Sequence, residues 1–360
     1  MTVYLLAGGG TAGHVNPLLA LAEVIRERDP HAEIIALGTL EGLESRLVPE
    51  RGFELVVIPR LPFPRRPNAA ALKFPAKYRS AVQQVRQLIR HRGVDVVVGF
   101  GGYAASPAYS AARKEGVPIV IHEANAKPGL ANKLGARYTD FVAVTFANTP
   151  LKNARVTGMP LRREIEALDR RALRKEACAH FGLDAEKPTL LVTGGSLGAK
   201  GINEGVSQNA QEIIDSGAQV LHIWGGLTEL KDPNVPGYQV LSYCDRMDLA
   251  FSAAHLIVSR AGSTTVSEIA GLGIPAIFAP YRHGNGEQAL NCQVVVQAGG
   301  ALMVEDQDLT TEFVRHTLIP LLHDSESLEA MSQAAKTVGV LDGAEQLFAL
   351  VSEALAARNQ

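Results

Sequence analysis

Short apolar runs recur along this chain, and most are followed by a stretch with helical periodicity. The runs are rich in Val, Ile and Leu, which is typical of strands buried on both faces. They occupy residues 3–7, 34–37, 54–58, 94–98, 118–122 and 141–144, and then 190–193, 220–224, 238–241, 256–258 and 276–279. Because strands that are joined by helices run parallel, the pattern predicts an α/β protein. We expect two doubly wound halves that face each other across a cleft.

The stretch 255–291 shows this repeating unit most fully. It predicts the order strand, tight loop, helix, strand, tight loop, helix, with Thr265 and Glu268 forming a capping box at the first helix. In open parallel sheets, ligands bind beyond the carboxyl ends of the strands. The polar clusters at 262–268 and 283–291 fall at that edge, so we expect them to line one side of a binding site.

Three glycine-rich loops follow predicted strands, at residues 8–14, 99–103 and 194–201. Glycines let backbone N–H groups approach an anion, and a helix N-terminus favours negative charge by ~0.3–1 kcal/mol. The first loop matches the dinucleotide fingerprint, but the second strand ends without the acidic residue that would hold a ribose. The third lacks the ending of a Walker A loop. The loops therefore favour a diphosphate over NAD or ATP, and a purely structural turn is the alternative.

The helix after the first loop is predicted to start late, with Asn16 as its N-cap and Pro17 at its first position. His14 would then lie where the loop becomes a helix. A histidine facing a cleft is suited to act as a general base, and a capping or surface histidine is the alternative.

Composition narrows the possible function classes. The chain has 360 residues, 46% of them hydrophobic and 20% charged, which is ordinary for a globular protein of two domains. Its net charge of −2 gives no general indication of nucleic-acid binding. The three cysteines lack metal-binding spacing, and neither a signal peptide nor a membrane-length apolar run is present. We therefore expect a cytoplasmic protein.

Residues 55–94 contain no acidic side chain, although the whole chain is slightly acidic. Nine basic residues lie within the span 60–92: Arg60, Arg65, Arg66, Lys73, Lys77, Arg79, Arg86, Arg90 and Arg92. If half of them face an anionic membrane, they contribute ~4–5 kcal/mol, at ~1 kcal/mol each. Nucleic acid is a rival partner, but no nucleic-acid-binding motif accompanies the span. A solvated helix face is the third interpretation.

Two acidic positions have competing interpretations. Glu268 could accept hydrogen bonds from two ribose hydroxyls, or it could serve only in the capping box. The pair Asp306 and Asp308 resembles a metal-binding motif, but Asp308 is placed to cap the helix that follows. The sequence therefore indicates no metal site and no cofactor, including no divalent cation.

Six motifs in a fixed order carry a family resemblance. GGGTAGHVNP, GFGGY, HEANAKPG, GMPLR, GGSLGA and SRAGSTTVSEIAGLGIPAIFAPY together resemble the MurG family of UDP-N-acetylglucosamine transferases. The match extends from residue 8 to about residue 291. The chain departs from the family pattern at Ala12, Leu197 and Met159. In the family, tryptophans are usual in the membrane patch that corresponds to the basic span. Here that span has none, because the only tryptophan of the chain is Trp224.

The resemblance implies a GT-B fold of two Rossmann-like domains. Residues 1–162 would form the acceptor and membrane-side domain, 163–340 would bind UDP-GlcNAc, and a C-terminal helix at 341–360 would pack back on the first domain. The reaction implied is inverting transfer of N-acetylglucosamine to the C4 hydroxyl of undecaprenyl-diphospho-muramoyl-pentapeptide. The partners would be these two substrates and, through the basic 60–92 span, the anionic inner face of the cell membrane, with no nucleic acid.

The resemblance also implies residue roles. His14 would be the base, and the acceptor loops would include Gly10, Gly101, Gly102 and Tyr103. Donor-binding residues would be Thr11, Ala12 and Gly13 on the sugar side, Asn125 and Gln288 on the sugar, Arg162 and Ser196 on the diphosphate, Cys244 at the uracil, Ser263, Thr264 and Thr265 at the nucleoside, and Glu268 on the ribose. The alternatives are another GT-B enzyme that uses UDP-GlcNAc, such as an epimerase or a glycolipid transferase, and a non-enzymatic nucleotide-binding module.

Overall fold

A computed structural model describes residues 1–64, 69–195, 198–226, 231–282 and 285–358, without the side chains of 69–71. The chain divides into two compact units. The N-terminal unit comprises residues 1–162 with 342–360, and the C-terminal unit comprises residues 163–341.

The N-terminal unit is built on a seven-stranded parallel sheet. Its strands are β1 (Val3–Ala7), β2 (Glu33–Gly38), β3 (Glu54–Val57), β4 (Val96–Gly99), β5 (Ile119–Glu123), β6 (Val142–Val144) and β7 (Ala154–Val156), in the order β3-β2-β1-β4-β5-β6-β7. Its helices are α1 (Ala12–Arg28), α2 (Glu44–Glu50), α3 (Ala69–Arg92), α4 (Gly102–Glu115) and α5 (Leu130–Gly135). The strand order reverses between β1 and β4.

The C-terminal unit repeats this plan with six parallel strands. They are β8 (Thr189–Thr193), β9 (Gln219–Ile223), β10 (Tyr238–Leu241), β11 (Leu256–Ser259), β12 (Ala276–Phe278) and β13 (Ala301–Met303), in the order β10-β9-β8-β11-β12-β13. Its helices are α6 (Arg163–Glu166), α7 (Arg170–Phe181), α8 (Lys200–Ser207), α9 (Ala210–Asp215), α10 (Met247–Ala253), α11 (Ser263–Leu272), α12 (Glu287–Ala298), α13 (Thr311–Phe313), α14 (Ile319–His323) and α15 (Ser325–Lys336), with a 3₁₀ turn at Asp306–Asp308 and a π-helical turn at Val314–Leu318. The prediction of two doubly wound α/β halves is confirmed.

Helices cover both faces of the N-terminal sheet, which explains why its central strands are apolar throughout. One core contains residues of α3 and α4, and the other contains residues of α1. The C-terminal helix α16 (Gly343–Arg358) joins the second core through Leu347, Leu350 and Val351. A Cβ on Gly343 would lie 2.3 Å from the carbonyl oxygen of Met159, so this close approach requires glycine.

Several helix boundaries differ from the sequence-based prediction. α1 begins at Ala12 with Thr11 as its N-cap, because the N–H groups of His14 and Val15 already donate to the Thr11 carbonyl. Asn16 and Pro17 are therefore inside the helix and do not start it. The predicted N-cap Asp308 is also wrong, since Thr310 caps α13 by accepting from the N–H of Phe313.

The short edge strands β7 and β13 were not predicted from the sequence. Each has only three residues, β7 with the sequence ARV and β13 with the apolar sequence ALM, which is too short to identify a strand. Among the helices of the described ranges, none is both long and apolar enough to span a bilayer.

Candidate active site

Part of the predicted site lies where the strand order reverses in each unit, between β1 and β4 and between β8 and β11. In the N-terminal unit, the loops after β1 and β4 carry His14 and Gly101; in the C-terminal unit, those after β8 and β11 carry Gly198 and Gly262. Such switch points are where open α/β sheets bind ligands.

The orientation of the His14 ring is set by a backbone contact. Its Nδ1 lies 3.1 Å from the Gly9 carbonyl oxygen and 3.4 Å from Oγ1 of Thr11. A carbonyl oxygen can only accept, so Nδ1 carries the proton in this hydrogen bond. The Nε2 atom of the neutral ring is then left with a lone pair, which is the form that a general base requires.

The acceptor-loop glycines meet His14 and its loop directly. A Cβ on Gly101 would lie 3.1 Å from Nε2 of His14, and a Cβ on Gly102 would lie 2.4 Å from the Gly9 carbonyl oxygen. Both glycines have positive φ, +92° and +77°, where other residues are strained. Tyr103 follows them, and the Arg60 guanidinium lies 4.8 Å from the centre of its ring. The structure therefore brings the loops after β1 and β4 together around His14.

Glu44 was missed in the sequence, although it is central to the first glycine loop. Its carboxylate is 1% exposed and accepts hydrogen bonds from the N–H of Gly10 at 2.8 Å and from the N–H and hydroxyl of Thr39 at 2.8 and 2.9 Å. The N–H of Gly10 is thus occupied by a carboxylate of the protein. The expectation that this loop offers its amides to a substrate diphosphate is wrong for Gly10.

A second buried carboxylate, Glu123, organises the loop of the HEANAKPG motif. It accepts from the N–H groups of Asn125 and Gly129, each at 3.0 Å, and from the side-chain amide of Asn132 at 2.9 Å. Asn132 also accepts from the Tyr109 hydroxyl. Burial, and then the charge of Glu123, raise the pKa of that hydroxyl well above its ordinary value. Asn125 itself is half-buried, on a loop that this network holds in place.

The turn that leads to Arg162 is held by a hydrogen bond from the buried side chain of His122. Nε2 of His122 lies 3.0 Å from the Gly158 carbonyl oxygen and therefore donates to it. Burial lowers the pKa of His122 to about 4, against the opposing effect of this hydrogen bond, so the ring is neutral near pH 7. Residues 158–161 are buried, and Arg162 follows them in a half-buried position.

In the C-terminal unit, the backbone of the loop after β8 folds back on itself and packs closely against Gly225. The N–H of Gly198 donates to the Gly195 carbonyl, and a Cβ on Gly225 would lie 2.2 Å from the nitrogen of Gly198. Ser196, predicted to hold the diphosphate, lies outside the described residues. The loop leads into α8, whose N-cap is Ala199.

The predicted nucleoside segment forms the first turns of α11. Gly262 is the N-cap, Ser263, Thr264 and Thr265 are the first three helical residues, and Glu268 follows with 7% exposure. The capping box is therefore wrong, because Thr265 is inside the helix and does not precede it. The alternative that confined Glu268 to helix capping no longer holds.

Arg260 was also missed, and it links three elements next to α11. Its guanidinium donates to the Ala279 carbonyl at 2.8 Å and forms a two-point ion pair with the Asp306 carboxylate. A Cβ on Gly201, in the first turn of α8, would lie 2.5 Å from that carboxylate. Asp306 is thus an ion-pair partner, and the described ranges contain no cluster of three or more metal-ligating side chains.

The remaining donor-side positions lie on separate loops. Cys244 follows β10 and is buried, which raises the pKa of its thiol. Gln288, in the first turn of α12, accepts from the N–H of Tyr281 at 2.9 Å through its side-chain oxygen. That contact fixes the orientation of the Gln288 amide, so its NH2 group is the end available to donate.

The basic span divides into two groups. Arg86 and Arg90 pair with Glu115, and Arg92 pairs with Glu33 and Glu54. Acids from outside the span therefore neutralise its C-terminal end. Lys73, Lys77 and Arg79 are exposed near the start of α3, and Arg65 and Arg66 lie outside the described residues.

Comparisons with known proteins identify the family. Residues 4–144 match the glycosyltransferase family 28 N-terminal domain, and residues 189–347 match the glycosyltransferase family 28 C-terminal domain. The chain is 58% identical over 357 residues to the UDP-N-acetylglucosamine--N-acetylmuramyl-(pentapeptide) pyrophosphoryl-undecaprenol N-acetylglucosamine transferase of Leifsonia xyli subsp. xyli, covering 99% of this chain and 100% of the relative.

A protein of the same name from Clavibacter sepedonicus is 59% identical over 359 residues, covering 99% of this chain and 98% of the relative. Among solved structures, the crystal structure of Acinetobacter baumannii MurG matches with a TM-score of 0.79 at 27% identity, covering 98% of this chain and 100% of that one. The chain therefore belongs to the MurG family of glycosyltransferases.

Proposed function

We propose that this protein transfers N-acetylglucosamine from UDP-GlcNAc to the C4 hydroxyl of undecaprenyl-diphospho-muramoyl-pentapeptide, with inversion at the anomeric carbon and release of UDP. The product is the lipid-linked disaccharide precursor of peptidoglycan. The observation that carries the proposal is the 58% identity to the Leifsonia transferase over 99% of this chain and 100% of the relative. The aligned region covers 99% of this chain and therefore includes both units.

We assign the acceptor chemistry to the N-terminal unit. His14 removes the proton of the acceptor hydroxyl through Nε2, because Nδ1 is engaged with the Gly9 carbonyl. Thr11, Ala12 and Gly13 form the start of α1 and face the transferred sugar, and Asn125 binds its hydroxyls. Gly10, Gly101, Gly102 and Tyr103 shape the acceptor side of the same loops.

We assign the donor to the C-terminal unit. The first turn of α11 offers backbone N–H groups and a positive helix end, which suits the nucleotide, and Glu268 holds the ribose. Cys244 lies at the uracil, and Gln288 donates to the sugar from the amide that Tyr281 orients. Arg162, Ser196 and the helix N-termini stabilise the charge that develops on the departing UDP. We propose no cofactor; in the pair Asp306 and Asp308, which resembles a metal-binding motif, Asp306 is engaged by Arg260.

We propose that the protein binds the inner face of the cell membrane peripherally through the first half of α3. Lys73 and Lys77 lie one turn apart and are exposed, as is Arg79. Beside them, Leu72 is 86% exposed and Phe63 is 63% exposed. Three cations contribute ~3 kcal/mol at an anionic surface, and the apolar side chains add a footing in the lipid.

A vesicle-binding experiment tests the membrane proposal. Lys73→Glu with Lys77→Glu should weaken binding to phosphatidylglycerol vesicles by at least ~30-fold, corresponding to ~2 kcal/mol, and should leave turnover on a water-soluble acceptor unchanged. Arg171→Glu with Lys175→Glu on α7 is the matched control, since it reverses two exposed charges at the same spacing. Equal binding by the two double variants would exclude this surface.

Radiolabelled UDP-GlcNAc with a short-chain analogue of the muramoyl-pentapeptide lipid tests the reaction itself. Label in the lipid fraction together with released UDP supports the proposal, and NMR of the product gives the anomeric configuration and the linked hydroxyl. Release of UDP without labelled lipid would point to a different acceptor or to an epimerase. No release and no binding of UDP would refute the proposed function.

A further inference from the structure

Glu44 and His14 contact opposite ends of one peptide group. The Gly9–Gly10 peptide donates its N–H to Oε2 of Glu44 at 2.8 Å and accepts from Nδ1 of His14 at 3.1 Å through its carbonyl oxygen. The peptide unit is planar, so the N–H and the C=O turn together. Any rotation that breaks the contact with Glu44 also moves the acceptor of His14.

The carboxylate of Glu44 is held in a cavity that only glycines permit. A Cβ on Gly9 would lie 2.2 Å from Oε1, one on Gly38 would lie 2.4 Å from Cγ, and one on Gly42 would lie 2.0 Å from Oε2. The side chain is 1% exposed, and three donors surround the two oxygens, one from Gly10 and two from Thr39. Three donors and the surrounding backbone fix this carboxylate in place.

The peptide between Gly9 and Gly10 would otherwise turn easily. It is flanked by glycine on both sides, and Gly10 has φ +96°, a conformation that glycine adopts at little cost. Nothing in the local backbone therefore selects one orientation of the peptide. The hydrogen bond from Gly10 to a fixed, buried charge supplies that selection.

We propose that Glu44 is a positioning residue for His14, acting through the Gly9–Gly10 peptide. The charge of Glu44 polarises the peptide and makes the Gly9 oxygen a stronger acceptor, because hydrogen bonds in series strengthen one another. This keeps the proton on Nδ1 and the lone pair on Nε2, and it stabilises the imidazolium that forms when Nε2 takes the acceptor proton. The kinetic part of this inference rests on the proposed function.

Glu44→Gln tests the inference, because an amide has one acceptor oxygen to offer where the carboxylate has two. We expect kcat to fall about 10- to 100-fold, less than the ~10²–10⁴ that a general base contributes, with the KM for UDP-GlcNAc within about threefold of wild type. In a His14→Ala background, the same substitution should change the residual rate less than about threefold, because its effect acts through His14. Glu50→Gln on the same helix, whose exposed carboxylate pairs with Arg46, is the matched control and should change neither value.

Nitrogen-15 NMR of the histidine side chains gives a readout that does not depend on turnover. The His14 signal, assigned by its loss in His14→Ala, should show Nδ1–H in wild type and a mixture of tautomers in Glu44→Gln. An unchanged tautomer, or an equal fall in kcat with and without His14, would overturn the proposal. If the wild-type protein transfers no sugar, the proposed function fails, and the NMR comparison still decides whether Glu44 orients His14.

If Glu44→Gln does not fold, Glu44→Asp takes its place. It keeps the charge and withdraws the carboxylate from Gly10 by about one bond length, ~1.5 Å. We expect the same change in the His14 tautomer. A wild-type His14 signal in the Asp variant would overturn the proposal.

Discussion

Replacing Arg260 with Met should destabilise the C-terminal unit by about 2–3 kcal/mol. The Arg260 side chain is 12% exposed, and it donates to the Ala279 carbonyl and to both oxygens of Asp306. Removing one partner of a buried ion pair costs ~3–5 kcal/mol. The Asp306 side chain is 40% exposed, so water can solvate the abandoned carboxylate, and the net loss is lowered to about 2–3 kcal/mol.

The only tryptophan makes the C-terminal unit observable within the full chain. Trp224 follows β9, so its fluorescence reports the unfolding of residues 163–341. With a urea slope of ~2 kcal/mol per molar, the midpoint should fall by about 1–1.5 M in Arg260→Met.

Arg282→Met is the matched control for this experiment. Arg282 pairs with Glu305, and the two side chains are 60% and 40% exposed. An exposed pair of this kind contributes ~0–1 kcal/mol, so its midpoint should move by less than about 0.5 M. If the two variants unfold at the same urea concentration, the Arg260 contacts contribute no more than a surface pair, and the reasoning from burial is refuted.

Three further predictions concern the site and the pH dependence of stability. His14→Asn removes Nε2 and keeps a donor near the position of Nδ1, so turnover should fall about 10²- to 10⁴-fold. The affinity for UDP, measured by calorimetry, should change little. Near-normal turnover would exclude His14 as the base. Glu268→Ala should weaken UDP binding about 10- to 100-fold, from the loss of charged hydrogen bonds worth ~1.5–3 kcal/mol, and leave the urea midpoint unchanged; a lower midpoint with intact affinity would mean a structural role. Burial lowers the pKa of His222 to about 4, against ~6.5 in the unfolded chain. Folding therefore favours the neutral ring. The stability that His222 contributes is complete above pH 6.5 and declines by about 3 kcal/mol as the pH falls from 6.5 to 4. The free energy of unfolding, measured by Trp224 fluorescence in urea, should depend less steeply on pH in His222→Gln than in wild type, and equal slopes would contradict the assignment.

The sequence by itself determined the class of fold and the family. A strand that is buried on both faces needs consecutive apolar residues, so strands such as β1 and β8 are recognisable in the sequence as apolar runs. Glycine loops that follow strands are local as well, and their motifs in order indicated the MurG family. Both features depend on neighbours in the chain, which is why no tertiary information was needed.

Only the tertiary structure decided how the first glycine loop is used. Glu44 and Gly10 are 34 residues apart, and nothing around either position indicates that the carboxylate binds the loop amide. Arg260 and Asp306, 46 residues apart, are a second pair of this kind, and the local pattern around Asp306 indicated only its resemblance, with Asp308, to a metal-binding motif. Contacts between distant residues form when parallel strands bring their carboxyl ends to one edge, and the sequence near each residue does not contain that information.

Boundaries were decided by the same long-range packing. Thr265 and Glu268 have the spacing of a capping box, yet α11 starts at Ser263 because β11 ends at Ser259 and Gly262 adopts the extended conformation that an N-cap requires. The edge strands β7 and β13 have three residues each, too few to show a period, and they are identified by their pairing with β6 and β12. Burial periodicity is thus encoded locally, whereas pairing and cap positions depend on the assembled sheet.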